Sequence, residues 1–271
     1  MSTGRYNLTG KTAIVTGASG GIGLQFCHEL ARHGADIVMA AIDGGPLHEA
    51  ADEITRIYGV RTFPLTIDLC RQDAISRIDD LLAGHSLTPY ILINNAGIFS
   101  FNYITETPET KINAFVDLHV RSVTLLSRHY ADVMARHGGG FILNMSSMSC
   151  WMPMPGLAMY AATKAYIRVF SRSLHYEMRD VGVRVMVACP GGIATDLFGL
   201  PDNLKRLALR LGAITRPETF VRGAVRRLLK GRMQYINGLT NRLAILFIGV
   251  LPTPLRMQVK HRLLDRNIRK P

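Results

Sequence analysis

Six short apolar runs, spaced so that a helix fits between each pair, constrain this chain more than anything else in it. They are KTAIVTG (11–17), ADIVMAA (35–41), VRTFPLTI (60–67), YILINNA (90–96), GFILNMS (140–146) and VRVMVAC (183–189). Their apolar character is nearly continuous rather than alternating, as in strands covered on both faces. Helical patterns fall near 21–33, 46–58, 71–83, 108–136, 158–180 and 216–230. Alternating strand and helix predicts an α/β fold: a doubly wound parallel sheet with right-handed crossovers. A chain of 271 residues, 48% of them hydrophobic, can bury the core this needs. No internal repeat, low-complexity segment or Pro/Gly linker interrupts the rhythm. One domain is therefore expected over residues 1–232, with 233–271 as a helical C-terminal extension packed on it.

The charge is uneven. Residues 1–200 hold 16 Lys and Arg against 17 Asp and Glu, and residues 201–271 hold 16 against three. A basic tail suits an anionic partner or simply a solvated surface. It lacks the interleaved aromatics and recognised motif of a nucleic-acid binder, so no nucleic acid is expected. Within it, Leu243 to Leu251 is an apolar run of nine, too short to span a bilayer, followed by Pro252 and Pro254. Beyond these, Met257, Leu263, Leu264 and Ile268 at helical spacing form a rough apolar stripe beside Arg256, Lys260, Arg262, Arg266, Arg269 and Lys270. The segment is expected either to pack on the domain or a second subunit, or to touch a membrane peripherally. The N-terminus carries no apolar signal core, and Cys27, Cys70, Cys150 and Cys189 are scattered without metal spacing. These features predict buried thiols, no metal, and a cytoplasmic, reducing location with membrane association left open.

Chemistry concentrates in the first 200 residues. TGASGGIG (16–23) follows the first strand and opens a helix. Gly17, Gly21 and Gly23 there allow a backbone to approach a pyrophosphate and a helix to pack on the sheet, although the spacing is not the usual GxGxxG. Further on, YAATK places Tyr160 and Lys164 four apart at the head of a helix, on one face. A free phenol has a pKa of about 10, too high for neutral-pH proton transfer, and a neighbouring ammonium is expected to lower it.

With NNAG (94–97), a strand ending in Ser-Ser thirteen residues before the tyrosine, and PGGIAT (190–195), these motifs stand in an order that resembles the short-chain dehydrogenase/reductase family. The resemblance spans about residues 8–230. The later sequence is similar to the branch of hydroxysteroid dehydrogenases and long-chain 3-oxoacyl reductases. It implies a Rossmann-type fold and hydride transfer between NAD(H) or NADP(H) and a ketone or secondary alcohol. By this resemblance Tyr160 is the general acid/base, Ser147 holds the substrate oxygen, and Lys164 grips the nicotinamide ribose. Ser146 is expected to face away, because alternate strand residues face opposite sides. Asp68 should meet the adenine, Asn94, Asn95, Ala96 and Gly97 should line the adenosine side, and Thr195 should hold the carboxamide. Asn94 has a second reading, as a tie between strands. Ser19, Ile22, Leu69, Pro190 and Gly191 complete the implied cofactor set, and a homo-oligomer is expected.

Two positions depart from the family pattern. His119, in DLHVRSV, stands where an Asn usually completes a proton relay. An imidazole can also donate and accept, so the relay persists, or activity is altered or lost. At the end of the second strand Ala41 and Ile42 replace the residues that usually choose the cofactor, and Asp43 follows. A carboxylate repels a 2′-phosphate, which leans toward NAD. The loops IFSFNYI (98–104), CWMPMPGLAM (150–159) and DLFGLPDNLKRLALRLGAI (196–214) are apolar and suit a hydrophobic, steroid-like or acyl-chain substrate. The competing reading is a catalytically impaired binding or regulatory protein on the same fold.

Overall fold

In the computed structural model, residues 6–193, 214–248 and 250–261 are described. The strands β1 (Thr12–Thr16), β2 (Asp36–Ala41), β3 (Thr62–Thr66), β4 (Pro89–Asn94), β5 (Gly140–Met145) and β6 (Val183–Ala188) fall on the six apolar runs. Between them lie α1 (Gly21–Arg32), α2 (Gly44–Tyr58), α3 (Ala74–Gly84), α4 (Glu109–Phe115), α5 (Val123–Arg136) and α6 (Ala158–Met178). All neighbouring strands pair in parallel, in the order β3-β2-β1-β4-β5-β6-β9. Every residue of β1 is buried, whereas β3, at the edge, is only half-buried. Continuous apolar runs are thus needed in the middle of the sheet and not at its rim.

The seventh strand, β9 (Gln234–Tyr235), was not foreseen. It pairs with β6 through Val187 and Ala188, so the sheet continues past residue 232. Two residues are too short to carry a readable period. A separate small sheet joins β7 (Gly192–Ile193) to β8 (Ile214–Thr215). The segment expected as one helix over 108–136 is continuously helical from Glu109 to Arg136, with α4 and α5 joined by a π-helical turn over Val116–Ser122. π-Turns of this kind occur frequently at functional sites, and this one carries His119.

α7 (Pro217–Leu228) packs Phe220, Val221, Ala224, Val225 and Leu228 onto the face of the sheet that α1 also covers. Beyond β9 come α8 (Leu239–Ile248) and α9 (Thr253–Val259). Pro252 and Pro254 stop one helix and start the next, with Pro252 at the N-cap. Among the described residues no helix is long and apolar enough to cross a membrane. Leu263, Leu264, Ile268 and the cations from Arg262 onward lie outside the described residues, as does Thr195.

The order of strands reverses between β1 and β4, because β1 is joined through α1 to β2 on one side and pairs with β4 on the other. A crevice at the carboxyl ends of β1 and β4 is the place where such sheets bind ligands. Just behind it, a buried polar ladder crosses the sheet. The Asn94 amide donates to Asn144 Oδ1 at 2.8 Å and Ser127 Oγ at 3.1 Å, and the Asn144 amide donates to Ser171 Oγ at 2.9 Å. Asn144→Ala removes the centre of this ladder and leaves buried partners unpaired. Urea unfolding should show a loss of about 1–3 kcal/mol.

Candidate active site

The first turn after β1 is shaped by positions that admit no side chain. A Cβ on Gly17 (φ +65°) would come within 2.9 Å of Ala96 Cα and of Asn95 Nδ2. A Cβ on Gly23 would press into the Gly17 carbonyl. Gly23 therefore packs α1 on the turn, and does not line the cleft. Gly17, Gly20, Gly21 and Ile22 do line it. The amides opening α1 have no intrahelical acceptors, and its first turn holds no acidic residue. That is a fitting seat for a phosphate. The cleft has a volume of about 310 Å³, and Asn95, Ala96, Gly97, Pro190 and Gly191 also line it.

Asn95 and Thr16 lock this cradle. The Asn95 side-chain amide donates to the carbonyls of Thr16 at 3.0 Å and Gly17 at 3.2 Å. The Thr16 hydroxyl accepts from the amides of Asn95 and Ala96 and donates to the Ile93 carbonyl. Asn94, one residue earlier, points the other way into the buried ladder. Its strand-tying role is the one the structure shows, and it does not line the cleft. Asp68 accepts from the Cys70 amide at 2.9 Å in a local turn, Leu69 is buried, and Asp43 is exposed at the N-cap of α2. These three and Ser19 do not line the cleft.

The far wall is built by β5 and α6. Ser147 follows β5, and its Oγ accepts from the Ser149 amide at 3.1 Å. Ser146, expected to face away, also lines the cleft, with its hydroxyl donating to the Lys164 carbonyl at 2.7 Å. Tyr160 is 6% exposed, with the Phe99 ring edge-on at 5.0 Å. Burial raises its pKa, partly offset by the Ser147 hydrogen bond. The expectation that Lys164 would leave the phenol more acidic is therefore not met. The reason is geometric: the Lys164 ammonium, 5.7 Å from the Tyr160 ring centroid, donates to the Met145 carbonyl at 3.0 Å. Its own burial lowers its pKa to about 8.

His119 is wholly buried and both nitrogens are engaged. Nε2 accepts from the Ile98 amide at 3.0 Å, so Nδ1 carries the hydrogen and donates to Thr163 Oγ1 at 3.0 Å. Burial, assisted by the positive charge of Lys164, lowers its pKa to about 2. The imidazole is thus neutral, anchoring the Ile98 backbone to α6. A Cβ on Gly97 would fall 2.9 Å from His119 Nε2 and 3.5 Å from Lys164 Nζ, so this wall also needs glycine. Sequence reading missed Gly20, Ile98, Met145 and Ile193 in the cleft wall. Met145 and Ile98 act through a carbonyl and an amide, which no residue letter encodes.

A neutral buried His119 has a consequence for stability. Below pH ~6.5 the unfolded chain binds a proton that the folded chain refuses, so stability falls as pH falls, by up to about 1.4 kcal/mol per unit. His119→Asn keeps a donor and an acceptor and removes the titration. Urea unfolding at pH 7, 6 and 5 should show a shallower pH dependence in this variant than in the parent chain.

Comparison with known proteins agrees with this geometry. Residues 11–202 match the family model for short chain dehydrogenases. The human very-long-chain 3-oxoacyl-CoA reductase is 32% identical over 221 residues, covering 80% of this chain and 68% of the relative. Among solved structures, L-sorbose reductase from Gluconobacter frateurii, complexed with NADPH and L-sorbose, has a TM-score of 0.77 at 27% identity, over 85% of this chain and 96% of that one. A 7α-hydroxysteroid dehydrogenase complexed with NADH and 7-oxo glycochenodeoxycholic acid has a TM-score of 0.75 at 26% identity, over 84% of this chain and 94% of that one. The glycine cradle at the switch point, the serine–tyrosine–lysine wall facing it and these matches lead to one conclusion: the chain belongs to the short-chain dehydrogenase family and is an NAD(P)-dependent oxidoreductase.

Proposed function

We propose that this enzyme interconverts a hydrophobic ketone and its secondary alcohol, with Tyr160 as the proton donor in reduction. The observation that carries this is the convergence of Ser147, Tyr160 and Lys164 on the cleft that the Gly17–Gly21 turn floors. The nicotinamide cofactor, when bound, supplies or takes the hydride. Ser147 holds the carbonyl oxygen beside the phenol, and Tyr160 delivers the proton to it. Lys164 is the nearby cation: it favours the phenolate left behind and offers its ammonium to a ribose hydroxyl. His119 is a positioning residue that fixes the Ile98 backbone opposite. Gly17, Gly21, Ile22, Asn95, Ala96, Gly97, Pro190 and Gly191 hold the cofactor, with Thr195 assigned by family pattern alone. Asp43, exposed just beyond β2, favours NAD over NADP by repelling a 2′-phosphate.

The substrate class rests on apolar surface. A second cavity of about 510 Å³ is lined by Met152, Pro153, Met154, Pro155 and alanines of α6. The name of the human relative points to a long 3-oxoacyl thioester, and that of the hydroxysteroid dehydrogenase to a steroid ketone. A screen of long 3-oxoacyl thioesters, steroid ketones and short ketones with NADH and NADPH, read at the nicotinamide absorbance, tests the reading. Tyr160→Phe should retain cofactor binding and lose about 10²–10⁴-fold in turnover. A variant with parental turnover would remove Tyr160 from this role.

The C-terminal segment belongs to the same proposal, as an extension of one domain. On α8 and just after it, Leu239, Leu243, Leu246, Phe247 and Val250 are exposed, from 49% to 76%. Spacings of three and four place them on one helix face. Arg242 lies on the same helix, and residues 201–271 hold 16 Lys and Arg against three Asp and Glu. An apolar face in a basic segment suits the interface of an anionic bilayer on the cytoplasmic side. Leu125 on α5 and Val169 and Tyr176 on α6 form another exposed apolar surface, suited to a second copy of the chain. Cosedimentation should show binding to anionic vesicles, weakened by salt and by Leu246→Asp with Phe247→Asp. Absence of binding at low salt would assign the α8 face to protein contact.

A further inference from the structure

Two sulfurs with no part in the chemistry above stand directly behind the cleft. Cys150 lies in the 3-10 turn Met148–Trp151 that follows Ser147, and Cys189 is the first residue after β6. The two elements are tied by the Met148 amide, which donates to the Pro190 carbonyl at 2.8 Å. Both side chains pack in one cluster with Val123, Ile167 and Val187. Cys189 is fully buried. Cys150 is half-buried and opens onto the 510 Å³ cavity beside Met152 and Ala161. One sulfur can be reached from outside, and the other can be reached only from the first.

The surroundings divide the pair chemically. The hydrogen bond from Cys189 lowers the pKa of Cys150 against the opposing effect of burial, and the Arg168 guanidinium adds to the lowering. That guanidinium sits 4.4 Å from the Trp151 ring centroid. Burial pushes Cys189 well up. The remaining cysteines are quieter: Cys27 is buried and raised, and Cys70 is raised to about 11, first by burial and then by Asp68. Thiolate character combined with access is what makes a cysteine reactive.

We propose that Cys150 and Cys189 form a reversible disulfide when hydrogen peroxide enters the cavity, with Cys150 attacking and Cys189 resolving, and that closing it disables the cleft. The Cys150 thiolate attacks one peroxide oxygen, the O–O bond breaks, and the departing hydroxide takes a proton to leave as water. Cys150 is then a sulfenic acid. The Cys189 sulfur loses its proton and attacks Cys150 sulfur, the S–O bond breaks, and a second water leaves. Two thiols are oxidised and one peroxide is reduced. A disulfide demands an S–S separation of about 2.05 Å, far shorter than the contact between two packed thiols. The turn must therefore move toward β6. Ser147 moves with it, because its carbonyl accepts from the Cys150 amide at 3.1 Å and its Oγ from the Ser149 amide. The hydroxyl that shares the cleft wall with Tyr160 is displaced. This inhibitory half rests on the catalytic reading of Ser147 and Tyr160 given above; the disulfide does not.

Peptide mass mapping of the full chain after peroxide treatment and alkylation tests the first half without any substrate. The expected product is a Cys150–Cys189 linked peptide pair, two hydrogens lighter than the dithiol and split by dithiothreitol. Oxidation confined to Cys27 or Cys70 would overturn it. In Cys189→Ser, dimedone should label Cys150 as the trapped sulfenic acid, and an unlabelled Cys150 would overturn the order of attack. In the parent chain, turnover of the best ketone from the screen should fall at least tenfold with cross-linking and recover with dithiothreitol. Full turnover in a fully cross-linked sample would overturn the inhibitory half and leave the disulfide and the catalytic assignment standing.

Discussion

Everything in the cleft depends on the clamp between the ends of β1 and β4. Thr16 and Asn95 make hydrogen bonds in both directions across the switch point, through one hydroxyl and one amide. Without them the chain leaving β1 would be free to choose among loop conformations, each costing backbone entropy to suppress. With them, the Gly17 carbonyl is pinned, Gly23 can seat against it, and α1 starts at a fixed height above the sheet. The phosphate seat and the catalytic wall then face each other across a gap set by strand pairing rather than by loops. A site supported in this way by rigid elements is pre-organised for its ligand.

The opposite wall is an electrostatic compromise. A lysine buried to 5% exposure costs free energy that an apolar residue would not. It is tolerated here because the Met145 carbonyl accepts from it and because His119 beside it stays uncharged. Two cations at this depth would repel, and the imidazole yields because both its nitrogens already have neutral partners. Perturbed titrating groups of this sort gather where chemistry is done.

The central fold was legible because its signal is repeated: six apolar runs, each long enough to show its burial. Tyr160, Lys164 and Ser147 were legible because their spacing along one helix and back to one strand survives folding unchanged. What escaped was tertiary. The pair Asn94–Asn95 reads identically in sequence, yet strand alternation sends one into the ladder and the other to the clamp. The effect of Lys164 on Tyr160 was read from proximity, whereas burial is what dominates the phenol and raises its pKa. The π-turn at His119 leaves the apolar pattern of its helix nearly intact, so periodicity could not mark it. β9 has two residues and no pattern of its own.

That last strand has a consequence for how the protein is made. About 45 residues separate β6 from β9, and β9 supplies the only partner β6 has on its outer side among the described residues. At ribosomal rates of about 5–20 residues per second, the nascent chain presents an unpaired, largely apolar strand edge for roughly 2–10 s before its cover is synthesised. Such an edge is a template for pairing with another chain. Each newborn molecule therefore passes through an interval in which another nascent chain can compete with β9 for the edge of β6.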